Sequence, residues 1–106
     1  MPKQEISNIK ELIQYQSGAV VSRTIIKKKT GTITLFAFDA GEGLSEHTAP
    51  FDAFVQILEG EALITISGDS YLVKENETIL LPANEPHGLK AKTQFKMLLT
   101  MIRSEE

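Results

Sequence analysis

The feature of the chain that most constrains its fold is a series of short apolar segments separated by turn-forming residues. In the segment Thr32–Asp39, for example, Ile33, Leu35 and Ala37 occupy alternate positions. Because alternate residues of a strand share a face, this spacing predicts β-strands. The predicted strands are Ala19–Ile26, Thr32–Asp39, Phe51–Leu58, Glu61–Ser67, Ser70–Lys74, Thr78–Leu81 and Gln94–Ile102. Short strands with regular turn signals predict an all-β antiparallel sandwich or barrel.

One segment near the N-terminus has helical spacing. The pattern predicts a short helix over residues 7–15, capped by Asn8 with Glu11 as its capping-box partner. Ile9, Leu12 and Ile13 would then form one apolar stripe. A helix of barely two turns is marginal alone, so we expect this stripe to rest on a sheet.

Composition and charge limit the kinds of protein to which this chain can belong. The 106 residues have no break in composition, so we expect a single domain spanning residues 1–106. The net charge of −3, with one dense basic stretch at 27–29, argues against nucleic acid as a partner. No apolar run reaches the ~20 residues of a membrane helix, and the polar start does not resemble a signal peptide. The absence of cysteine suits a reducing compartment. We therefore expect a cytoplasmic protein without a membrane segment.

Two of the predicted strands are apolar on both faces. In Gln94–Ile102, Met97 and Leu99 alternate with Leu98 and Ile102, and Ala19–Ile26 is similarly apolar. A strand with one wet face would not have this pattern, so the outer face must be covered by the short helix, by the N-terminal strand or by another subunit. We expect a homodimer.

Both histidines of the chain stand in regularly spaced frames. The two frames are Gly41, His47, Ala49, Ala53 and Gly60, and then Asn76, Pro82, Asn84, His87 and Ala91. Their spacing resembles the two motifs of the cupin family, G-x5-H-x-H-x3-E-x6-G and G-x5-P-x-G-x2-H-x3-N. The frame matches at Gly41, His47, Gly60, Pro82 and His87 and departs from the motifs at the other five positions. The resemblance spans about residues 32–102 and is to small single-domain cupins of the conserved-barrel type.

The resemblance implies a fold and a site. The fold would be a double-stranded β-helix, the jelly-roll barrel of cupins, preceded here by a short helix. The site would be a pocket in the barrel interior formed by His47, Ala49, Ala53, Val55 and His87. His47 and His87 occupy two ligand positions of the family, whereas Ala49 and Ala53 replace a histidine and a glutamate. Any divalent metal, whether Zn, Ni, Fe or Mn, would therefore have two protein ligands and bind weakly, since protein zinc sites supply three or four.

Three roles for the histidines stay open: weak metal ligands, metal-free polar anchors for a small ligand, or hydrogen-bonded structural residues. The first functional hypothesis is a binding module whose barrel holds a small, partly apolar molecule. The alternative is a metal-dependent cupin enzyme, an oxygenase, isomerase or lyase, that works with a reduced ligand set. The sequence does not assign a catalytic residue in either case.

Overall fold

All seven predicted segments form strands in a computed structural model, which describes residues 4–104. Their ends lie within two residues of the expected bounds. The strands are β1 (Val20–Lys28), β2 (Gly31–Phe38), β3 (Gly43–His47), β4 (Phe51–Glu59), β5 (Glu61–Ile66), β6 (Asp69–Lys74), β7 (Thr78–Leu81), β8 (His87–Lys90) and β9 (Phe95–Arg103). The sequence pattern missed β3 and β8, which are short and contain glycine.

The strands form two antiparallel sheets. The five-stranded sheet has the order β1-β2-β9-β4-β7, and the four-stranded sheet has the order β3-β8-β5-β6. Their inner faces pack on one another, which confirms the predicted all-β jelly-roll barrel. No helix among residues 4–104 has the length and apolar character needed to cross a membrane.

The core lies between the two sheets. Phe38 of β2 and Phe95 of β9 are fully buried and stack with ring centroids 4.5 Å apart. Val55 and Ile57 of β4 face Ile64 of β5 within the same cluster of buried side chains. Stacked aromatic pairs contribute about 1 kcal/mol beyond the burial of their area, so this pair helps to close its end of the barrel.

Four turn positions of the two sequence frames share an unusual backbone conformation. Gly41, Gly60, Asn76 and Asn84 have φ angles of 89°, 74°, 69° and 66°. Glycine and, to a lesser degree, asparagine tolerate this left-handed region, so the two asparagines preserve the turns. At Gly60 a Cβ atom would also collide with the backbone oxygen of Gln94, which makes glycine necessary there.

The N-terminal helix is shorter than predicted. A 3₁₀ turn spans Ile9–Leu12, and the backbone of Ile13 is already extended. Asn8 does cap the turn, with its side chain accepting a hydrogen bond from the backbone nitrogen of Lys10. The physical reason for the early end is that Ile13, only 4% exposed, packs against Leu35 and Ala37 of β2 in this extended conformation. A continued short helix would have to give up this burial for little gain of its own.

The segment after this turn covers part of the outer face of the five-stranded sheet. Lys96 of β9 is 6% exposed there, and its Nζ donates a 2.6 Å hydrogen bond to the backbone oxygen of Lys10. The same ammonium lies 5.1 Å from the centre of the Tyr15 ring. The Tyr15 hydroxyl donates a 2.6 Å bond to Glu59. Burial, and then the Glu59 carboxylate, raise the pKa of Tyr15, so the hydroxyl remains a donor.

The contacts of this N-terminal cover predict that Tyr15→Phe lowers the free energy of unfolding by about 1–2 kcal/mol, because it removes a partly buried hydrogen bond to a carboxylate. Urea denaturation followed by circular dichroism measures the change. Tyr71→Phe is the matched control, since Tyr71 is 44% exposed on β6, and it should change stability by less than about 0.5 kcal/mol. Equal effects of the two variants would contradict the role given to Tyr15.

Candidate functional site

The barrel is more open at one end than at the other. On the inner face of β9, Phe95 and Met97 are buried, whereas Leu99 and Met101 are half-buried. β5 starts at the closed end, because Gly60 approaches Phe95. Its last residue, Ile66, therefore lies at the open end, where it is also half-buried. The open end thus exposes apolar side chains of both sheets.

Both histidines lie at this open end. His87, the first residue of β8, is paired with Ile66 on one side and with His47 on the other. Between Leu44 and His47 the register of β3 shifts by one residue relative to β8. This bulge lets Leu44 and His47 pair with Leu89 and His87, two buried residues on the same face of β8. Without it, the imidazole of His47 would point to the other face.

The two imidazole rings are close neighbours. Their centroids are 4.5 Å apart and their planes make an angle of 63°. His87 is 8% exposed, whereas His47, on the edge strand β3, is exposed. The pair therefore spans the boundary between the barrel interior and the solvent.

Backbone carbonyls fix the same tautomer on both rings. The Nδ1 atom of His47 lies 2.9 Å from the backbone oxygen of Ser45, and that of His87 lies 3.2 Å from the backbone oxygen of Glu85. A carbonyl oxygen only accepts hydrogen bonds, so Nδ1 is the protonated nitrogen in each ring. In the neutral form both Nε2 atoms keep a free lone pair, which is the state that binds a metal or accepts a bond from a ligand.

The environment favours the neutral form of the buried ring. Desolvation by burial is the largest effect on His87 and lowers its pKa below 6.5, and the nearby His47 lowers it further. The hydrogen bond to Glu85 opposes this shift. His87 is therefore neutral, with Nε2 available, over a wider pH range than a free histidine.

The pair has no third metal ligand within the part of the chain that the structure describes. Among residues 4–104, no three His, Cys, Asp or Glu side chains lie close enough together to hold a metal ion. The acid nearest to His87 in sequence, Glu85, accepts a 2.7 Å hydrogen bond from the Ser67 hydroxyl instead. The histidine pair thus supplies only part of a metal's coordination shell. It offers two imidazole nitrogens, and water or a ligand would have to fill the other positions.

Of the other residues expected in the pocket, two are packed in the core and one lies in a loop. Ala53 is 3% exposed and Val55 is fully buried, both packed in the core. Ala49 is half-buried in the loop after β3, where its backbone oxygen accepts a bond from Asn84. Four surface grooves on the described part of the chain are lined by neither histidine. The histidine pair thus lies where the barrel meets the solvent, with His47 exposed and His87 8% exposed.

Half-buried apolar residues at the mouth of the barrel were not predicted as part of the site. Leu99 and Met101 of β9 face inward at the open end, where they pack against the core cluster. Their distance along β9 from the closed end distinguishes these two residues from Phe95 and Met97. That distance can be read only when the register of the sheet is known.

The comparison with protein families agrees with this geometry. A family model described as "Cupin domain" matches residues 34–103, which is most of the chain. The chain belongs to the cupin family. This confirms the resemblance inferred from the two histidine frames.

Solved structures give the same fold at full length. A conserved protein of unknown function from Streptococcus pyogenes is 34% identical, with a TM-score of 0.93, over 100% of this chain and 93% of that one. A cupin superfamily protein from Desulfitobacterium hafniense is 28% identical, with a TM-score of 0.91, over 98% of this chain and 95% of that one.

A third similar structure is a cupin 2 conserved barrel domain protein from Leptotrichia buccalis. It is 38% identical with a TM-score of 0.89, and the match covers 92% of this chain but 47% of that one. This cupin barrel therefore also occurs within a chain about twice as long. A comparison with curated proteins found no match.

The environment of the pair predicts its titration. In an NMR titration, the two histidine ring signals can be followed separately, and that of His87 should have its midpoint below 6.5, because burial disfavours the charged ring. In His47→Ala the midpoint of His87 should rise, since a neighbouring positive charge has been removed. A midpoint of His87 above 6.5 in the wild type would contradict the described burial.

The same shift has a consequence for stability. Because the pKa of His87 is lower in the folded state, the unfolded chain binds more protons as the pH falls below 6.5, and the folded state loses stability there. Denaturation curves at pH 8 and pH 5 should show less of this loss in His87→Gln than in the wild type. An equal loss in the two proteins would show that His87 does not carry the effect.

Proposed function

We propose that this cupin binds a small, partly apolar molecule at the open end of its barrel, with His47 and His87 as the polar contacts. The observation that carries the proposal is the pair of adjacent imidazoles whose Nδ1 atoms are both held by backbone carbonyls. Fixing a ring from its Nδ1 side is useful when Nε2 has a partner. Two purely structural histidines would not need to be neighbours at the boundary between the barrel interior and the solvent.

The surroundings of the pair indicate the chemistry of the ligand. Ile66, Leu99 and Met101 expose apolar surface at the same end of the barrel, and binding sites are generally apolar with a few oriented polar groups. A ligand that fits would place an apolar body against these side chains. It would present a hydrogen-bond donor, or a group carrying a proton, to the two Nε2 atoms.

We also propose that a divalent metal binds to the pair weakly and exchangeably. Two imidazoles satisfy half of a tetrahedral shell, whereas catalytic zinc sites have three protein ligands and structural sites four. Zn, Ni, Fe and Mn all accept imidazole nitrogen. Affinity should fall as the pH decreases, because each ring must be neutral to bind.

The alternative function is a metal-dependent enzyme, an oxygenase, isomerase or lyase, with the same two residues as ligands. It is favoured by the exposure of His47, which leaves the outer side of the pair open to a substrate. The metal would supply Lewis-acid chemistry, while the histidines would hold it and orient it.

We propose that the protein acts in the cytoplasm, for which the absence of cysteine is the supporting observation.

Metal titration separates these roles. Calorimetric titration of chelator-treated protein with Zn²⁺ should give weak binding, with a dissociation constant of roughly 10 μM or higher, equivalent to about −7 kcal/mol. His87→Gln should abolish it. Nanomolar stoichiometric binding by the wild type would contradict the two-ligand site and favour the enzyme.

A gain-of-ligand variant tests the same site from the other direction. Ala49→His adds an imidazole at a half-buried loop position and should tighten Zn²⁺ binding at least tenfold, or about 1.4 kcal/mol. Ala53→Glu is a poorer test, because a carboxylate would have to enter the packed core at a residue that is 3% exposed. If Ala49→His leaves affinity unchanged, residue 49 does not face the pair.

A fragment screen by NMR tests the ligand proposal without metal. Fragments that shift the ring signals of both histidines should also shift the methyl signal of Met101, and should lose binding in His47→Ala. The matched control is Leu72→Ala on β6, an exposed residue that pairs with Leu63 on the outer face of the four-stranded sheet, which should leave binding unchanged. Fragments that bind elsewhere and never shift the histidines would count against the proposed site.

A further inference from the structure

The inner face of β2 changes from apolar to polar along its length. Two phenylalanines occupy it at the closed end of the barrel, and Thr34 and Thr32 occupy it towards the mouth, where they pair with Leu99 and Met101. Paired residues of neighbouring strands share a face of the sheet. Both threonines are half-buried. The mouth therefore offers hydroxyl groups beside the apolar side chains of β9.

A β-bulge in β1 turns Lys27 towards the same inner face. Between Thr24 and Ile26 the register of β1 shifts by one residue relative to β2, so that Lys27 pairs with Thr32. Because side chains alternate along a strand, Lys27 would point to the outer face without the bulge. The neighbouring Lys28 points to that outer face instead.

This bulge has a counterpart in the other sheet. β6 contacts β7 and β4, so the opposite edge strands, β1 and β3, lie on the same side of the barrel. The bulge in β3 directs His47 inward, and the bulge in β1 directs Lys27 inward. Bulges are common next to binding sites, where they redirect a side chain. An imidazole of one sheet and an ammonium of the other thus border the mouth on the same side.

Arg103 supplies a second cation on the inner face of the five-stranded sheet. It lies two residues beyond Met101 on β9, about 7 Å farther towards the solvent, and pairs with Phe51 of β4. Its guanidinium lies over the Phe51 ring, 5.5 Å from the ring centre. Stacking on a ring orients the guanidinium and leaves the N–H groups at its edge free to donate.

Neither cation forms a salt bridge within residues 4–104. The one salt bridge in this part of the chain joins Lys10 and Glu75. Carboxylates near the open end are directed elsewhere. Asp52 accepts a hydrogen bond from the backbone after β7, and Glu85 accepts one from a serine hydroxyl. Glu46 lines a groove on the outer face of the four-stranded sheet. The five-stranded side of the mouth is therefore positively charged.

We propose that the ligand of this site is an organic anion, whose carboxylate or phosphate group binds to Arg103 and Lys27. The inference rests on the proposed function and names the class of molecule. The cations lie on one sheet and the two imidazoles on the other, roughly 10 Å away, so one small molecule can contact both. Its anionic end meets the five-stranded sheet, and its hydrogen-bond donor meets the histidines.

The two cations have different roles in this arrangement. The planar fork of Arg103 matches two oxygens of a carboxylate or phosphate and sets the orientation of the anion. Lys27 acts as a point charge that adds attraction from the side of β1. The hydroxyl of Thr32, on the strand between them, is a further donor. The apolar body of the molecule then lies against Leu99 and Met101.

Matched probes measure the preference for charge. The probes para-hydroxyphenylacetate, its neutral amide and para-hydroxyphenyl phosphate all carry a phenol that can donate to an imidazole. NMR titrations at about pH 7.5, where histidine is mostly neutral, follow the rings of His47 and His87 and the Nε signal of Arg103. All three signals should shift, and an anion should bind at least ~5-fold more tightly than the amide, or about 1 kcal/mol. The tighter of the two anions identifies the anionic group.

Substitutions separate a defined site from general attraction. Arg103→Gln should reduce the preference for the anion to less than ~2-fold, equivalent to about 0.4 kcal/mol, and Lys27→Gln should reduce it partly. Arg103→Lys should retain only part of it, because an ammonium lacks the bidentate fork. Lys28→Gln is the matched control, since it removes the same charge one residue away on the outer face, and it should leave the preference unchanged. Lys27 and Arg103 are both exposed, so the variants should fold.

The outcomes distinguish this inference from the proposed function. If the amide shifts both histidines and binds as tightly as the anions, the ligand is not an anion, although the proposed function stands. Equal losses in Lys27→Gln and Lys28→Gln would also overturn the anion site, because attraction would then not depend on the inner face. Anions that shift Arg103 but neither histidine would contradict the proposed function, and with it the placement of the ligand between the sheets. Anions that shift none of the three signals would overturn both.

Discussion

The structure depends on the pairing of β9 with β2 on one side and β4 on the other. Both pairings are antiparallel and extend over nearly the whole of β9. The register directs Phe95 and Met97 into the core and Lys96 to the outer face. A slip of one residue would reverse every side chain of the strand and bury a lysine between the sheets. Packing of the core therefore specifies the register strongly.

This register also separates the proposed ligand site from the outer face of the five-stranded sheet. The inner face of β9 passes from the closed end to the mouth, where Leu99 and Met101 accompany the histidines. Its outer face passes from Lys96, beneath the N-terminal segment, to the uncovered residues Thr100 and Ile102. The proposed ligand site thus uses only the inner face of this strand.

The long strands could be predicted because an alternating pattern of six to nine residues remains recognisable even when the strand ends are misplaced by one or two residues. It missed β3 and β8, which carry the two histidines, because five and four residues that include glycine do not establish a period. The spacing of His47 and His87 still indicated their proximity through the family resemblance. It could not predict the bulge before His47, the carbonyls that hold each Nδ1, or the closed packing around Ala53 and Val55, since these depend on register and on contacts between strands.

The proposed function requires that His47 and His87 both offer a free Nε2 at the mouth of the barrel. Long-range ¹H–¹⁵N correlation spectra of the two rings at about pH 8, well above the ordinary histidine pKa near 6.5, identify the protonated nitrogen of each directly. We expect the Nδ1-protonated tautomer for both histidines, with Nε2 unprotonated. Protonation of Nε2 in either ring would contradict this role, because the lone pair would then face a backbone carbonyl and that ring would offer no acceptor at the mouth.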